Sequence, residues 1–374
     1  MPAAVRDVPV FSKMATKDSP EISARLGKVT EMAKRTTYTM RDVARLAGVS
    51  ISTVSAVVNN KGIVGPELTA VVQKAINAMN FSPHAGARGL RIGKTNILGL
   101  VVQDITNPFF VEALRGVEDE AIKHGYEVLV CNSNDQPDLE LRHLNALYTQ
   151  RVDGVLLATC DSYAARQALI RDRAPIVFID CVPMKAEVDC VVTDNFDSCY
   201  DAIRYLIGLG HERIAVISGR LVHSTSIARV EGCRKAMQEA NLPVWEESLR
   251  EGDSHIESGY RIGLTLFQSS DPPTAIFTLN NRMALGILRA LRELQIPCPE
   301  KVSVMSFDDA DWAEVFNPSL TTIKQPTYEI GKAAVELLLQ SIQSASDQTT
   351  LEPRQVLLKS ALCARGSTAA VAKG

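Results

Sequence analysis

The chain has 374 residues, of which 46% are hydrophobic and 5% aromatic, a composition typical of a soluble α/β protein with two or three domains. It has no run of about eighteen apolar residues and no apolar leader, so we expect neither secretion nor membrane insertion. Its eight cysteines form no C-x-x-C pair and no His-Cys cluster. This spacing excludes a disulfide framework or a zinc site and favours reduced thiols in a cytoplasmic protein.

The net charge of −3 conceals an asymmetry along the chain. Residues 1–95 contain fourteen Lys and Arg against six Asp and Glu. The N-terminal part therefore carries about +8 and the remainder about −11. A basic end on an acidic body predicts contact with nucleic acid at that end alone.

Residues 1–37 are polar and charged without a clear period, and we expect a disordered extension there. Residues 39–59 then predict two short helices. Thr39 and Asp42 have the spacing of a capping box, Gly48 ends the first helix, and Ser50 is a suitable N-cap for the second. The inward-facing positions of the two helices are Val43, Leu46, Ala47, Val54, Val57 and Val58. This pattern indicates a helix-turn-helix unit, with a plain helical hairpin as the alternative.

A third helix is predicted to begin at Pro66, because proline after Gly65 suits the first helical position. Residues 80–83 stop this helix. Its apolar stripe is expected to be buried and consists of Leu68, Val71, Val72, Ala75, Ile76 and Met79. The three helices together predict a small headpiece at residues 38–82.

Residues 42–59 match closely the pattern D-V-A-x-x-A-G-V-S-x-x-T-V-S-R-V-L-N. On this motif, and along residues 39–366, the chain resembles the lactose/galactose repressor family of transcriptional regulators. The pattern and the resemblance place seven residues at or near DNA: Thr39, Ser50, Ile51, Ser52, Thr53, Ser55 and Asn59. The chain departs from the family at Ala56, which stands where an arginine is usual. An arginine could contact guanine bidentately, whereas Ala56 offers a methyl group.

Residues 83–95 correspond to the hinge helix of the family, with a basic linker as the alternative. The resemblance implies that the hinges of two subunits pair in the minor groove, where Leu90 wedges into a base step. Ala85, Arg88 and Arg91 are the other expected DNA contacts in this segment. Its two glycines each cost a helix about 0.8–1 kcal/mol relative to alanine, so the hinge should be difficult to order without DNA.

From residue 95 onward, strand-like and helix-like runs alternate. The predicted strands are 97–102, 127–131, 154–158, 176–179, 213–217, 275–278 and 302–306, and the clearest helices are near 110–124, 139–150 and 164–171. Such alternation predicts two subdomains, each a doubly wound parallel sheet, with a cleft between them. This is the periplasmic-binding-protein architecture, which the resemblance also implies for a core at residues 96–366 and a flexible tail at 367–374. In the family the chain crosses between the halves three times, here near Asp194, Gln325 and Leu351.

Ligands of open α/β sheets collect at the carboxyl ends of the strands, which identifies the candidate effector site. The first strand ends in a loop with an aromatic pair, and the segment from His223 matches the S/T-x-x-x-R-x-x-G pattern of the family. The expected effector residues are Asn107, Phe109, Phe110, Asp161, His223, Thr225, Arg229, Asn280, Asp308 and Gln325. Two departures concern Asn281, where the family has aspartate, and Ser254, at a position that is often aromatic. Without that aromatic platform, sugars and sugar acids are favoured over a purine.

These features together predict a ligand-responsive, sequence-specific transcriptional regulator, in the usual mode of the family a repressor. We expect a homodimer acting on operator DNA in the bacterial cytoplasm, at the nucleoid, with a small polar effector and no cofactor or metal. A transport binding protein would explain the core alone. A sugar-modifying enzyme would need a catalytic constellation or cofactor loop, which the sequence does not contain.

Overall fold

The computed structural model of the protein describes residues 38–59, 62–81, 94–159, 174–183, 187–242, 248–347 and 352–371. The chain divides between Gly93 and Lys94 into two units, and each is described by itself. The predictions for the N-terminal extension, for residues 83–93 of the hinge and for a helix at 164–171 lie outside the described residues.

The N-terminal unit contains three helices, α1 (Met40–Ala47), α2 (Ile51–Val58) and α3 (Pro66–Ala78). The N–H and the hydroxyl of Thr39 donate to the Asp42 carboxylate at 3.0 and 2.7 Å. Gly48 ends α1 at a φ of +68°, a conformation that favours glycine. The Ser50 hydroxyl caps α2 by accepting from the Thr53 N–H at 3.1 Å. The predicted helix-turn-helix is therefore confirmed.

The core of this unit is smaller than the apolar stripes predicted. Its buried apolar residues are Val43, Ala44, Val54, Val72, Ala75, Met79 and Phe81. The prediction of inward positions was wrong for Leu46, Leu68 and Val71, which are 39%, 48% and 45% exposed. Three short helices bury only the rows at the centre of their mutual contact, and Val71 is rotated by about 100° from the buried Val72.

The C-terminal unit alternates strands and helices along its length. In chain order these are β1 (Ile97–Val102), α4 (Pro108–Lys123), β2 (Glu127–Asn132), α5 (Pro137–Thr149), β3 (Gly154–Leu157), β4 (Ile176–Ile179), β5 (Cys190–Thr193), α6 (Asn195–Gly208), β6 (Ile214–Ser218), α7 (Ser224–Glu239), β7 (Leu249–Glu251), α8 (Ile256–Phe267), β8 (Ala275–Thr278), α9 (Asn281–Glu293), β9 (Ser303–Phe307), α10 (Trp312–Val315), β10 (Thr321–Lys324), α11 (Thr327–Ser346), β11 (Gln355–Leu358) and β12 (Ala361–Cys363).

The strands form two six-stranded sheets, one in each lobe of this unit. The order is β11-β5-β4-β3-β1-β2 in the first lobe and β12-β10-β9-β8-β6-β7 in the second. Neighbouring strands are parallel apart from the antiparallel β10–β12 pair among the strands described. The predicted pair of parallel-sheet subdomains is therefore confirmed.

Each sheet is covered by helices on both faces, which explains its continuous apolar strands. In β1, Leu98 and Leu100 pack with α4 and α11, whereas Val101 faces the opposite side and packs with α5. In β6, Val216 packs with α6 and α7, whereas Ile217 packs with α8 and α9. The carboxyl ends of both sheets remain uncovered and face the cleft between the lobes.

Three connections between the lobes lie side by side. The first follows β5, the second contains Gln325, and the third joins β11 to β12 at residues 359–360. The Thr193 hydroxyl donates to Gln325 at 2.7 Å, and the Ser360 N–H donates to Asp194 at 2.8 Å. The prediction of the third crossing near Leu351 was wrong. It lies at residues 359–360, because the chain first adds β11 to the sheet of the first lobe.

Glycines set the spacing of the helices that start at the cleft. A methyl group on Gly116 of α4 would lie 2.0 Å from the Tyr328 carbonyl oxygen, and one on Gly331 of α11 would lie 2.0 Å from the Ala113 oxygen. A methyl group on Gly232 of α7 would likewise lie 2.2 Å from the Phe196 carbonyl oxygen of α6. Only glycine permits these crossings, so the backbone fixes where α4 and α11 present their first residues.

The end of the described chain is packed rather than free. Ser367 is fully buried, and its hydroxyl donates to the Val304 carbonyl at 2.6 Å. The Val371 N–H donates to Leu209 at 2.9 Å. Residues 367–371, predicted as a flexible tail, therefore extend the second lobe. Across the described ranges, no helix is long and apolar enough to span a membrane.

Candidate functional site

A cavity of about 490 Å³ lies between the two lobes, at the carboxyl ends of their strands. The structure brings nine of the ten predicted effector residues together in its lining: Asn107, Phe109, Phe110, His223, Thr225, Arg229, Asn280, Asp308 and Gln325. The tenth, Asp161, lies outside the described residues. A volume of this size is in the range of small-molecule sites.

Arg229 is held rigidly in the floor of the cleft. Its Nε donates to Asn195 Oδ1 at 2.7 Å, and its Nη1 donates to the Leu279 carbonyl at 2.9 Å. The guanidinium stacks on the Phe307 ring, with Cζ 3.7 Å from the ring centroid. These contacts leave Nη2 directed to the cleft, 3.9 Å from Asp180 Oδ1.

Two carboxylates flank this guanidinium, one from each lobe: Asp308 is buried, and the side chain of Asp180 is 12% exposed. Asp180 follows β4 and Asp308 follows β9, and both have positive φ, at +61° and +70°. Burial raises the pKa of Asp180 to about 6, with a further increase from Asp308, against the lowering effect of Arg229. Burial also raises the pKa of Asp308, which accepts a hydrogen bond from Gln325 Nε2 at 2.6 Å. The site therefore combines a fixed cation with two carboxylates that accept hydrogen bonds.

The two asparagines of the predicted site are also helix caps. Asn107 Oδ1 accepts from the Phe109 N–H at 3.1 Å at the start of α4. Asn280 Oδ1 accepts from the Arg282 and Met283 N–H groups at 2.8 and 3.1 Å at the start of α9. Capping fixes both side chains at the rim of the cavity. The amide nitrogen of Asn280 remains available to a ligand, whereas its oxygen is committed.

The aromatic pair at the start of α4 supplies the apolar wall. Phe109 and Phe110 are both buried and pack edge to face, with ring centroids 5.1 Å apart. Both rings line the cavity. Ser254 also lines the cavity, at the position where the family resemblance implies that an aromatic side chain is common.

His223 forms an ion pair at the side of the cleft. Its Nε2 lies 3.4 Å from Asp135 Oδ1 across the two lobes. Burial lowers the pKa of His223, but the Asp135 carboxylate and the Cys181 sulfur outweigh it and raise the pKa to about 10. The imidazole is therefore charged at neutral pH and joins the lobes electrostatically.

The His223 pair predicts a specific loss of stability at alkaline pH. Because the folded-state pKa is above the unfolded value near 6.5, this stabilisation is complete below pH 6.5 and disappears as the pH rises to about 10. The melting temperature of the wild type should therefore fall more steeply between pH 6.5 and 10 than that of His223→Gln. His124→Gln, at a half-exposed histidine, is the control and should follow the wild type. Parallel curves for wild type and His223→Gln would contradict the assignment.

Further polar contacts cross the cleft directly. Arg282 Nη1 at the start of α9 donates to Asp104 Oδ2 at 2.8 Å and contacts the Thr106 hydroxyl. The Asn281 amide donates to Asn107 Oδ1 at 3.1 Å, and the Val182 N–H donates to the Ser224 hydroxyl at 3.1 Å. The spacing of the lobes thus depends on side chains that surround the cavity.

Several lining residues were not predicted from the sequence. The ionisable ones are Asp104, Asp135, Asp180, Asp253, His255 and Arg282. Of these, Asp180 has the strongest electrostatic coupling to Arg229 and Asp308. The signal that could have found it was its position directly after a buried strand, the same position that identified Asp308.

The predicted DNA-facing residues of the headpiece lie on and around α2. Ser50, Ile51 and Ser52 are exposed, Thr53 and Ser55 are half-buried, and Asn59 is the C-cap. Thr39 is exposed at the start of α1, where its hydroxyl caps the helix. Ala85, Arg88, Leu90 and Arg91 lie outside the described residues. Within the described part of the chain, no cluster of His, Cys, Asp or Glu fits a metal ion.

Comparison with known proteins agrees with both parts of this architecture. Residues 95–365 match the family described as periplasmic binding proteins and sugar binding domain of the LacI family. Residues 39–84 match the bacterial regulatory proteins of the lacI family. The chain belongs to the LacI family.

Individual relatives of the LacI family cover nearly the whole chain. The ribose operon repressor of Escherichia coli is 35% identical over 88% of this chain and 99% of its own length. The HTH-type transcriptional repressor PurR of Vibrio vulnificus is 35% identical over 82% of this chain and 92% of its own. These relatives are transcriptional repressors rather than enzymes.

Solved structures of the LacI family show the same fold. A lac repressor dimer bound to operator and the anti-inducer ONPF has a TM-score of 0.79 and 26% identity, and covers 90% of this chain and all of that one. A LacI family regulator from Enterococcus faecium with bound ribose has a TM-score of 0.65 and 31% identity, and covers 74% of this chain and all of that one. The chain is thus a ligand-responsive transcriptional regulator of the LacI family, as the sequence predicted.

Proposed function

We propose that the protein is a homodimeric repressor whose operator affinity is set by a neutral sugar bound between its lobes. The observation that carries the proposal is the placement of Arg229 between two carboxylates with little exposed surface, Asp180 and Asp308. A sugar hydroxyl both donates and accepts, so neighbouring hydroxyls satisfy a carboxylate and a guanidinium at once.

The charges of the cleft favour a neutral sugar over a sugar acid. Arg229 already donates to Asn195 and Leu279 and faces Asp180, so little of its charge remains for a ligand carboxylate. The other cations of the lining are also paired, His223 with Asp135 and Arg282 with Asp104. A ligand carboxylate would also lie close to Asp308, and like charges in a buried site are unfavourable.

The shape of the apolar wall points in the same direction. Phe109 and Phe110 offer one aromatic wall, which suits the C–H face of a sugar ring. Ser254 provides no second ring, so a purine would lose stacking on one side. One structural relative is described with bound ribose, which makes a pentose the first ligand to test.

A thermal-shift panel tests the effector class directly. The full chain is heated with ribose, a hexose, a sugar acid or a purine, each over a range of concentrations. A cleft ligand at a thousand times its Kd stabilises by about 4 kcal/mol, so the neutral sugar should raise the melting temperature most. Stabilisation by the purine or the sugar acid alone would overturn the proposed effector class.

The allosteric step is proposed to act through the lobe spacing. An effector touching Asp180 in the first lobe and Arg229 in the second competes with the contacts that already join the lobes, such as Arg282–Asp104. A change in that spacing would alter the distance between the two hinge segments of a dimer acting at the bacterial nucleoid, and so their order on DNA. Operator affinity, measured by fluorescence anisotropy with and without the sugar, tests this step. An unchanged affinity would contradict it.

The proposed role of Asp180 predicts a pH-dependent affinity. The charged carboxylate is the stronger acceptor for a hydroxyl, and its pKa is raised to about 6. Affinity for a neutral sugar, measured by calorimetry, should therefore fall between pH 7 and 5, and the fall should be smaller in Asp180→Asn. Protonation of Asp180 does not itself unfold the protein over this range. Because folding raises the pKa of Asp180, the protonated carboxyl stabilises the folded state below about pH 4. This stabilisation is lost as the pH rises towards 6.

A further inference from the structure

The outer face of α2 lacks the side chains that usually read bases by hydrogen bonds. At 100° per residue, Ile51, Ser52, Ser55, Ala56 and Asn59 lie within one arc of about 140°. The helix itself contains no Arg, Lys, Asn, Gln or His. Bidentate contacts to guanine or adenine need such residues, so α2 cannot form them from its own positions.

The polar groups that this face does carry are bonded within the helix. Ser50 Oγ lies 2.6 Å from Ser52 Oγ and 2.8 Å from Thr53 Oγ1, and also caps the Thr53 N–H. Asn59 Nδ2 donates to the Ser55 carbonyl at 2.6 Å and to the Ser55 hydroxyl at 3.2 Å. These hydroxyls and the Asn59 amide nitrogen therefore already have hydrogen-bond partners at the two ends of the helix.

Two apolar side chains remain on the surface of this face. Ile51 is 46% exposed although it is a large aliphatic residue, and Ala56 is partly exposed one helical turn beyond Ser52. Arg41 and Arg45 on α1 of the same unit are exposed, and such side chains can contact backbone phosphates. The unit thus combines an apolar surface on α2 with exposed basic groups on α1.

We propose that α2 reads its half-site through the C5-methyl groups of thymine, contacted by Ile51 and Ala56. The thymine methyl is the apolar group that the major groove offers, and it distinguishes thymine from the other three bases there. The inference rests on the proposed function as an operator-binding protein and specifies its mode of base recognition. The inference also gives a role to Ala56, which stands where the family usually has arginine. The methyl group of Ala56 contacts the C5-methyl group of a thymine.

The test removes the thymine methyl without altering base pairing. The full chain first selects its preferred site from random duplex DNA, and each thymidine of that site is then replaced singly by deoxyuridine. At fixed salt, losing one buried methyl contact should weaken binding about fourfold. We expect this loss at the thymines facing Ile51 and Ala56 and near-unchanged binding at the others.

Protein variants then assign each methyl to its partner. In Ile51→Ala, the deoxyuridine effect at one thymine should disappear, and in Ala56→Gly the effect at a different thymine should disappear. Val71→Ala is the matched control, because Val71 is an equally exposed aliphatic residue on α3, at 45%. It should retain every deoxyuridine effect. The melting temperature of each variant shows whether it is folded. The deoxyuridine series with the wild-type protein tests methyl recognition even where a variant does not fold.

The outcomes separate this inference from the function on which it rests. A selected consensus whose affinity is unchanged by every deoxyuridine would overturn methyl reading and favour recognition of DNA shape. Methyl effects that persist in both Ile51→Ala and Ala56→Gly would also overturn it. Failure to select any consensus would overturn operator binding as well.

Discussion

Arg229→Ala should abolish effector binding and strongly destabilise the core, the largest effects that we expect from a single substitution. The change removes the cation between Asp180 and Asp308 and leaves Asn195 Oδ1 and the Leu279 carbonyl without their donor. Removing one partner of a buried ion pair costs about 3–5 kcal/mol. Loss of a charged hydrogen-bond donor to the ligand should weaken effector binding by about a hundredfold or more.

A structural and a binding role of Arg229 can be separated. The double variant Arg229→Met with Asp180→Asn replaces both charges of the Arg229–Asp180 pair by neutral groups of similar size, so it should regain part of the lost stability. It should not regain effector binding. Calorimetry below the melting temperature of each protein measures the affinity, and denaturant unfolding measures the free energy of unfolding.

Arg234→Ala is the matched control, because Arg234 is an exposed arginine on the same helix. It should leave both quantities close to those of the wild type. Operator binding in the absence of effector should persist in the double variant, since the cleft and the headpiece belong to separate units of the chain. An unchanged effector titration in Arg229→Ala would remove this residue from the site.

Local signals made the headpiece predictable down to single residues. The capping residues Thr39 and Ser50, the left-handed Gly48 and the helix-initiating Pro66 act through neighbouring backbone groups, and all take the predicted roles. Burial depends on how the helices pack, which the sequence pattern does not contain. The helical periodicity predicted for Leu46, Leu68 and Val71 was therefore correct, but their predicted burial was wrong.

In the core, most central strands were predicted, but the central strands β5 and β10 were missed, and of the edge strands β2 was predicted whereas β7, β11 and β12 were not. Strands such as 97–102 and 275–278 are continuous apolar runs, because both faces of a parallel sheet are covered. The edge strand β7 is the three-residue Leu249–Glu251 and has no such run. The strands β11 and β12 depend on where the chain returns to each lobe, a long-range property, and so the third crossing was misplaced.

The candidate cleft was predictable where a motif marked a residue. Arg229 and Asp308 were identified by resemblance to the family. The rule that ligand sites form at the carboxyl ends of parallel strands then predicted that they lie in one cleft. Asp180 has no flanking motif, and its importance arises from its distance to a residue 49 positions away in the sequence. Electrostatic coupling of this kind becomes visible only when the lobes are folded.

Gly331→Ala should destabilise the first lobe and weaken effector binding without touching any residue of the cleft. An ideal Cβ at this position lies 2.0 Å from the Ala113 carbonyl and 2.9 Å from the Val117 N–H, both on α4. These atoms belong to a backbone that is already hydrogen-bonded, so the helices must separate. Overpacking of this kind costs about 1–3 kcal/mol and more where the neighbour is rigid.

The functional part of this prediction follows from where the two helices begin. Helix α4 starts beside Asn107 and Phe109, and α11 starts two residues after Gln325, so moving the helices apart shifts one wall of the cavity against the other. We expect a lower free energy of unfolding, measured with denaturant, and weaker sugar binding in the folded protein at low temperature. Gly208→Ala is the control, because a methyl there meets no atom within 4 Å. It should stabilise by about 0.4–1 kcal/mol and leave sugar binding unchanged. Full sugar affinity in a destabilised Gly331→Ala protein would show that the helix crossing supports folding alone and does not position the effector site.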